Sequence, residues 1–416
     1  MYDTARRAVV PFEPMDPARV RVYDCGPTVW DFQHIGNLYR YIVADVARRA
    51  LEYFGYGVTQ VMNITDVGAI MGDVDEGEDR MAIAARREGA DPLALAKRYT
   101  EQFFVDRRKL NIVDPHVVSK ATEHVPEMIA LIARLIEKGN AYVAPDGVYF
   151  DVTTFPGYGT RLSPEDPTAR KAGARIEPNP NKRHPADFAL WRGAKAEDLQ
   201  RWDSPWGPGK PGWHIECSAM SMKYLGETFD IHSGGEDHVF PHHECEIAQS
   251  EAATGKPFVR YWMHVRFLTV EGEGMHKSIG NTYLLRDIEE WGFQPLAFRM
   301  LALGTSYRKP LAFTRQGLGA AQNRLDRWRR AIAEARAAGA LPAEGPPPDD
   351  EALRAFRDAL ANDLNTPVAV AAAERAIDRL TDPDPQGRAA ALAVLLDMDR
   401  VLGLSLGETA TEPELS

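Results

Sequence analysis

The sequence predicts an α/β protein: a parallel, doubly wound sheet, interrupted by an insertion and followed by a helical bundle. Three observations predict it. A strand–helix–strand pattern opens the chain over residues 20–63. From about 140 to 191, short strands alternate with Pro- and Gly-rich turns. Beyond about Pro295 the pattern is helical almost to the end.

Taken in order, Val20-Arg-Val-Tyr-Asp24 reads as a short strand that leads into a Gly26-Pro27 turn. A helix rich in Ala, Arg and Leu runs from about 34 to 54, where Gly55-Tyr-Gly57 stops it. Residues 58–63 alternate as the next strand, and this order begins a parallel sheet. The acidic, Gly-containing stretch 66–80 reads as a loop, and helical patterns follow at about 91–110 and 123–138. A basic, Pro-rich stretch at 177–185 closes the insertion, and helix and strand signals resume from Trp213 to about Glu290. An Ala- and Arg-rich helix at 318–338 precedes a Pro-rich linker at 341–348 and two further helices. The expected division is 1–120 and 201–295 for the two halves of the sheet domain, 121–200 for the insertion, 296–405 for the bundle and 406–416 for a disordered tail.

The totals bound the function. A chain of 416 residues with 44% hydrophobic and 26% charged content is ordinary for a soluble globular protein of two to four domains. It has no apolar run of eighteen residues and no apolar signal core at the N-terminus, so a cytoplasmic location is the expectation. A net charge of −11 argues against broad wrapping by nucleic acid, while leaving room for a local basic surface. Three cysteines, Cys25, Cys217 and Cys245, are too few for a disulfide framework and point to thiol chemistry or metal binding.

Cys25, Cys217, His242 and Glu246 are residue types that hold zinc, and His242 and Glu246 stand at helical i, i+4 spacing in Pro241-His-His-Glu-Cys-Glu246. Zinc would select a thiol-bearing substrate, because a metal lowers a thiol's pKa and a hydroxyl is a poor ligand. A purely structural site, or two buried cysteines with no metal, is the alternative. His238, His243 and Cys245 are the competing assignments, and on a helix His243 and Cys245 point away from the face shared by 242 and 246.

Other motifs sit where strands feed loops. In His34-Ile-Gly-Asn37, Gly36 permits close approach of a nucleotide, and His34 can donate to phosphate oxygens; a surface histidine before a helix reads equally simply. In Gly274-Met-His-Lys-Ser278, Lys277 can neutralise pyrophosphate charge and Ser278 can add a hydrogen bond, against an ordinary polar turn. Thr65, in Asn63-Ile-Thr-Asp-Val67, can hold the polar backbone of an amino acid or simply form a turn. In Asp230-Ile-His-Ser-Gly-Gly-Glu-Asp237, His232 and the glycines can meet ATP, and Asp237 can pair with an ammonium. The basic helix 323–330 reads as an RNA surface or as a solvated face.

Together and in this order, the elements resemble cysteinyl-tRNA synthetases. The residues that carry it include Cys25-Gly-Pro-Thr-Val, His34-Ile-Gly-Asn, Lys171-Ala-Gly-Ala-Arg-Ile-Glu177, Asp187-Phe-Ala-Leu-Trp191, Pro211-Gly-Trp-His-Ile-Glu-Cys-Ser-Ala-Met220 and Phe240-Pro-His-His-Glu-Cys-Glu246. The resemblance spans roughly 15–405. It implies a class I Rossmann-like (HUP) sheet with a connective insertion and a helical bundle. It implies zinc on Cys25, Cys217, His242 and Glu246, with the substrate thiol on the zinc. It places Gly26, Thr65, Trp213 and Asp237 around L-cysteine, and His34, Asn37, His232, Gly235 and Lys277 on ATP with its Mg2+. The implied reaction is activation of L-cysteine to cysteinyl-adenylate, followed by transfer to tRNA.

Two departures are visible. The family's second signature is Lys-Met-Ser-Lys-Ser, whereas Gly274 and His276 stand here for its first lysine and first serine, so adenylation is expected to be retained but slowed. The chain also ends soon after Leu402-Gly-Leu404, where the family continues into a small anticodon-reading domain; a short form lacking it is the expectation. That leaves two alternatives: a ligase joining activated cysteine to an amine, such as the amino sugar of mycothiol-type synthesis or a carrier, and a non-catalytic paralogue.

Overall fold

A computed structural model describes residues 1–68, 79–163, 179–196, 198–275, 281–341 and 345–408. The expected motif 171–177, residues His276, Lys277 and Ser278, and most of the acidic loop lie outside the described residues. An N-terminal hairpin, β1 (Tyr2–Asp3) and β2 (Ala8–Val9), precedes β3 (Val20–Asp24), α1 (Ile35–Tyr53) and β4 (Val58–Ile64). The expected strand–helix–strand is therefore present. His34 caps α1, its ring accepting from the Asn37 amide, and Gly55, at φ 88°, lets the chain leave the helix end. Buried Ile35, Leu38, Tyr39, Ile42, Val46 and Ala50 form one stripe that lays α1 on the sheet.

α2 (Arg80–Glu88) and α3 (Pro92–Lys109) follow, then the four-residue strand β5 (Val117–Lys120) and α4 (Val125–Glu137). The sequence reading passed over α2 and β5. α2 carries its own signals, an Asp79 cap on the Met81 and Ala82 amides and a left-handed Gly89 at its end. β5 is too short to show alternation.

β6 (Ala141–Ala144), β7 (Gly147–Phe150), β8 (Phe188–Gly193) and β9 (Gly209–Pro211) form an antiparallel sheet. Asp187 ties it together, accepting from Tyr142 Oη at 2.7 Å and from the Val152 amide at 3.0 Å. This sheet runs past residue 200. Helix α4, expected to open the insertion, packs mainly against α5 (Trp213–Leu225), and also against β6 of the insertion and α6 (Glu244–Thr254). An apolar stripe must face the largest apolar surface in reach, and here that surface is the helical layer over the main sheet.

β10 (Phe229–Gly235) and β11 (Val259–Val265) complete a five-stranded sheet in the order β11–β10–β3–β4–β5, parallel throughout. The chain runs outward from β3 to β4 and, in the other direction, from β10 to β11. The switch point therefore lies between the C-terminal ends of β3 and β10, where such sheets bind ligands.

The remainder comprises β12 (Leu268–Val270), β13 (Glu273–Gly274), α7 (Leu285–Glu290), α8 (Pro295–Leu303), β14 (Leu311–Phe313), α9 (Arg315–Ala337), α10 (Glu351–Ala361), α11 (Thr366–Asp378) and α12 (Pro385–Leu402). The basic helix at 323–330 is part of α9. Its Trp328 is buried and donates to Glu374, Arg327 pairs with the same carboxylate, and Arg329 donates to the Leu404 carbonyl. Those contacts hold the bundle together and reduce the basic face expected for RNA. Among the described residues no helix is long and apolar enough to cross a membrane.

Arg299, fully buried on α8, fastens the bundle to the sheet domain. It meets Asp45 of α1 at 2.6 Å and donates to the carbonyls of Leu402 at 2.6 Å and Leu110 at 3.1 Å. Gly403, at φ 64°, leaves it room, because a Cβ there would fall 2.6 Å from the guanidinium. Removing one partner of a buried ion pair costs about 3–5 kcal/mol. Arg49 still pairs with Asp45 at 2.8 Å, so Arg299→Met is expected near the low end, about 3 kcal/mol. Urea denaturation measures it, and an unchanged midpoint contradicts the clamp.

Candidate metal and substrate site

The four soft and hard donors singled out in the sequence meet at the switch point. Cys25 directly follows β3, Cys217 lies on α5, His242 in the turn before α6, and Glu246 on α6. Cys25 Sγ is 4.0 Å from Cys217 Sγ and 3.8 Å from His242 Nε2, and His242 Nε2 is 3.1 Å from Glu246 Oε1. All four are at most 3% exposed, and their ligand atoms lie within 4.8 Å of one another. Glu246 Oε1 makes no hydrogen bond despite its nearness to His242. The four ligand atoms thus gather in one buried cluster.

Two braces hold the Cys25 loop. Its amide donates to the Ser233 carbonyl at 3.0 Å, which joins β3 to β10. The buried Arg40 guanidinium, lying over the Tyr41 ring, binds Asp24 at 2.5 Å and the Cys25 carbonyl, and Ser233 Oγ donates to the same Asp24 carboxylate.

The electrostatics follow from the clustering. A hydrogen bond from Cys217 holds the Cys25 thiol well below its usual range, and the same bond together with burial pushes Cys217 up. Burial opposes charge on His242, but Cys25 and Glu246 on either side outweigh it and push His242 up to about 10. Burial likewise opposes charge on Glu246, which His232 and His242 nevertheless hold below the ordinary carboxylate range.

A layer of histidines supports these donors. His214 and His242 share a 2.8 Å Nδ1–Nδ1 contact, and His243 bonds His264 at 2.7 Å, which in turn bonds Thr4 Oγ1 at 2.7 Å. Burial pushes His214 and His243 well down and takes His264 to about 3, so these three are neutral.

Two sequence expectations change here. His232, expected to meet ATP, is fully buried, and its Nε2 binds Glu246 Oε2 at 2.9 Å; it orients a metal-group carboxylate and offers no open face to a nucleotide. His243, expected to point away, sits 3.9 Å from Glu246 Oε1. The reason is local: Phe240 is extended at φ −140° and 239–243 form an irregular turn, so helical spacing does not govern that segment. Cys245 does face elsewhere, 3.3 Å from Tyr158 Oη.

The residues expected around an amino acid border the same point. Gly26 presses on β4 so closely that a Cβ would fall 1.6 Å from the Asn63 carbonyl oxygen. Thr65 is buried at the end of β4, and the Trp213 ring lies 4.2 Å from the His242 ring. Asp237 sits at the exposed rim, close enough to Gly235 that a side chain there would collide with it. On the nucleotide side, the His34 ring accepts from the Asn37 amide at 3.2 Å, and a Cβ at Gly36 would fall 2.3 Å from the Met275 methyl. The two signature segments thus meet through Gly36 and Met275. The sequence reading missed Asp24, Arg40, Asn63 and Glu216. Glu216 carried a visible signal, a carboxylate directly beside Cys217.

The fold is shared with solved class I aminoacyl-tRNA synthetases. A Mycobacterium tuberculosis methionyl-tRNA synthetase in complex with methionyl-adenylate superposes with a TM-score of 0.61 at 15% identity, covering 93% of this chain and 90% of that one. A LeuRS–tRNA–LeuAMS ternary complex of Agrobacterium radiobacter K84 gives 0.65 at 12% identity, covering 94% and 85%. Within that class, a family profile described as the tRNA synthetases class I (C) catalytic domain matches residues 11–323. A cysteine–tRNA ligase of Thermus thermophilus is 45% identical over 94% of this chain and 82% of its own length. That of Chlorobium luteolum is 47% identical over 87% and 74%. The chain belongs to the cysteinyl-tRNA synthetase family.

The charge states yield a prediction. In the metal-free pocket the Cys25 thiol is held well below its ordinary range, while Cys217 and His242 are pushed up. Metal coordination needs both thiolates and a neutral imidazole, so loading releases about two protons, from Cys217 and His242. Apparent affinity therefore falls as pH falls. The His242 contribution to stability of the metal-free fold is fully present below about 6.5. It is lost as pH rises through about 10. Calorimetric titration of zinc in buffers of different ionisation enthalpy counts the protons; a count of zero contradicts this charge pattern.

Proposed function

We propose that the protein activates L-cysteine with ATP, forming cysteinyl-adenylate and pyrophosphate, and then esterifies tRNA with the cysteine, releasing AMP. The observation that carries this reading is the convergence of Cys25, Cys217, His242 and Glu246 on one buried point beside the two signature segments. Family membership supports both half-reactions.

The donor set fits zinc. Ligand atoms about 2.0–2.3 Å from a tetrahedral ion stand roughly 3.4–3.8 Å apart. The distances of 4.0, 3.8 and 3.1 Å bracket that spacing. Two sulfurs, an imidazole and a carboxylate disfavour magnesium or calcium. Cys25, Cys217, His242 and Glu246 would hold zinc, which would favour a substrate thiol as thiolate over serine's hydroxyl. The ion serves recognition.

The chain's own residues do the rest by positioning and electrostatics. The cysteine carboxylate attacks the α-phosphorus of ATP in line, and pyrophosphate leaves with its bonding pair. His34, at the head of α1, donates to phosphate oxygens as charge builds, with Asn37 beside it. Lys277 and Ser278 supply positive charge and a hydrogen bond to the pyrophosphate. Gly235 keeps backbone open near the nucleotide, Trp213 walls the cysteine, and Asp237 at the rim faces its ammonium. Mg2+ accompanies ATP. The terminal hydroxyl of tRNA then attacks the activated carbonyl. The relatives are named for tRNA charging, and no observation favours an amine acceptor.

The test is cysteine-dependent exchange of pyrophosphate into ATP, followed by charging of tRNA with labelled cysteine. Both are expected. Strong exchange without charging overturns the tRNA half. Cys217→Ser is expected to lose zinc and to raise KM for cysteine at least about tenfold. An unchanged KM contradicts the recognition role.

A further inference from the structure

An open basic cleft of about 410 Å³ lies at the outer edge of the main sheet, where Arg6, Arg7, Arg161 and Arg260 line it with Asp3 and Thr160. The four guanidiniums come from three segments: the turn of the β1–β2 hairpin, the loop that follows β7, and the start of β11. Each segment is fixed. The Thr4 amide donates to the Trp262 carbonyl at 3.0 Å and the Trp262 amide to Asp3 Oδ1 at 2.9 Å, which lays the hairpin on edge strand β11. The loop bearing Arg161 is pinned to α6, because Glu244 accepts from the Gly159 and Leu162 amides at 3.1 and 2.5 Å. Arg7 stands at φ 53°, in the left-handed region, where a non-glycine residue costs about 1–2 kcal/mol. Strain of that kind collects at functional positions.

The positive charge is only partly offset. Asp3 pairs with Arg6 at 2.8 Å and Glu251 with Arg161 at 3.4 Å. Arg7 donates to the Thr160 carbonyl at 3.4 Å, and among the described residues neither Arg7 nor Arg260 has a carboxylate partner. On a chain of net charge −11, such a concentration of guanidiniums attracts anions, and their planar forks match phosphate oxygens. Among the described residues no aromatic ring lines the cleft, so nothing there stacks on a base. We propose that this cleft binds the phosphodiester backbone of tRNA at successive phosphates, without reading sequence. This rests on the reading that tRNA receives the cysteine, and it adds where the backbone docks. The basic stretch of α9 is the weaker candidate, because Arg327 and Arg329 are tied into the bundle. The cleft is also held in register with the metal group: Thr4 bonds His264, which bonds His243, and α6, which pins the Arg161 loop, carries Glu246.

The test is equilibrium binding of tRNA across a salt series, with cysteine-dependent pyrophosphate exchange as a control that needs no tRNA. Arg7→Asn, which suits the left-handed turn, combined with Arg260→Gln removes both unpaired charges. This double variant is expected to weaken tRNA about 10- to 100-fold and to reduce the slope of log affinity against log salt by about 1–2, with exchange unchanged. Arg324→Gln with Arg330→Gln removes the same charge from the exposed face of α9 and is expected to change affinity less than about threefold. Wild-type affinity and slope in the cleft variant, or an equal loss in the α9 variant, overturn this inference alone. A wild type that binds no tRNA overturns the tRNA half of the functional reading, and this inference with it.

Discussion

Four ionisable side chains are buried at one point, and the architecture of the catalytic half depends on making that tolerable. Two thiols, an imidazole and a carboxylate taken from water would each cost several kcal/mol if left alone. Here the opposite charges of Glu246 and His242 offset part of that cost. Cys25 and Glu246 flank His242, and the second thiol keeps its proton until a metal takes its place. The cluster thus already has the composition of a coordination shell.

The sheet explains why these four residues can meet although more than two hundred positions separate them in sequence. β3 and β10 are neighbours at the switch point, and both open on the same crevice: Cys25 directly after β3, and Gly234–Gly235 at the end of β10. α5 and α6 then bring Cys217 and Glu246 over the sheet from the other half of the fold. The bonds from the Cys25 amide to Ser233 and from Arg40 to Asp24 and the Cys25 carbonyl keep the first loop from relaxing away. A donor loop without such bracing would reach its ligand only part of the time, and affinity would fall accordingly.

Much of this was legible in the sequence because it rests on local signals. The 34–54 helix announced itself through its Ala-, Arg- and Leu-rich composition and its Gly stop, and the metal donors through residue type and scarcity. What was not legible depends on contacts between distant segments. Nothing in Asp230-Ile-His-Ser-Gly-Gly distinguishes a histidine facing a nucleotide from one packed on Trp262 and bonded to Glu246; only the strand's place in the sheet decides it. His243 was misjudged because helical periodicity was applied to a turn that is not helical. α4 adjoins the insertion in sequence and touches its strand β6, yet packs mainly on α5, a division that sequence order does not show. Asn63 and Glu216 read as ordinary polar residues until their partners, one of them 151 positions away, were known.

The neutral histidines beneath the metal group also have a physical logic. A cluster of imidazoles that were all charged would repel any incoming cation and each other; a cluster of apolar side chains would leave Glu246 and His242 without orienting partners. Burial resolves the conflict by keeping His214, His243 and His264 uncharged while leaving their ring nitrogens available as hydrogen-bond partners. His242, which touches both Cys25 and Glu246, is pushed the other way, as is His238 beside Cys25 and Asp237. The difference between these imidazoles and the three neutral ones therefore arises from position alone. It marks His242 as the histidine whose proton a metal must displace, and the others as the frame that fixes where that exchange takes place.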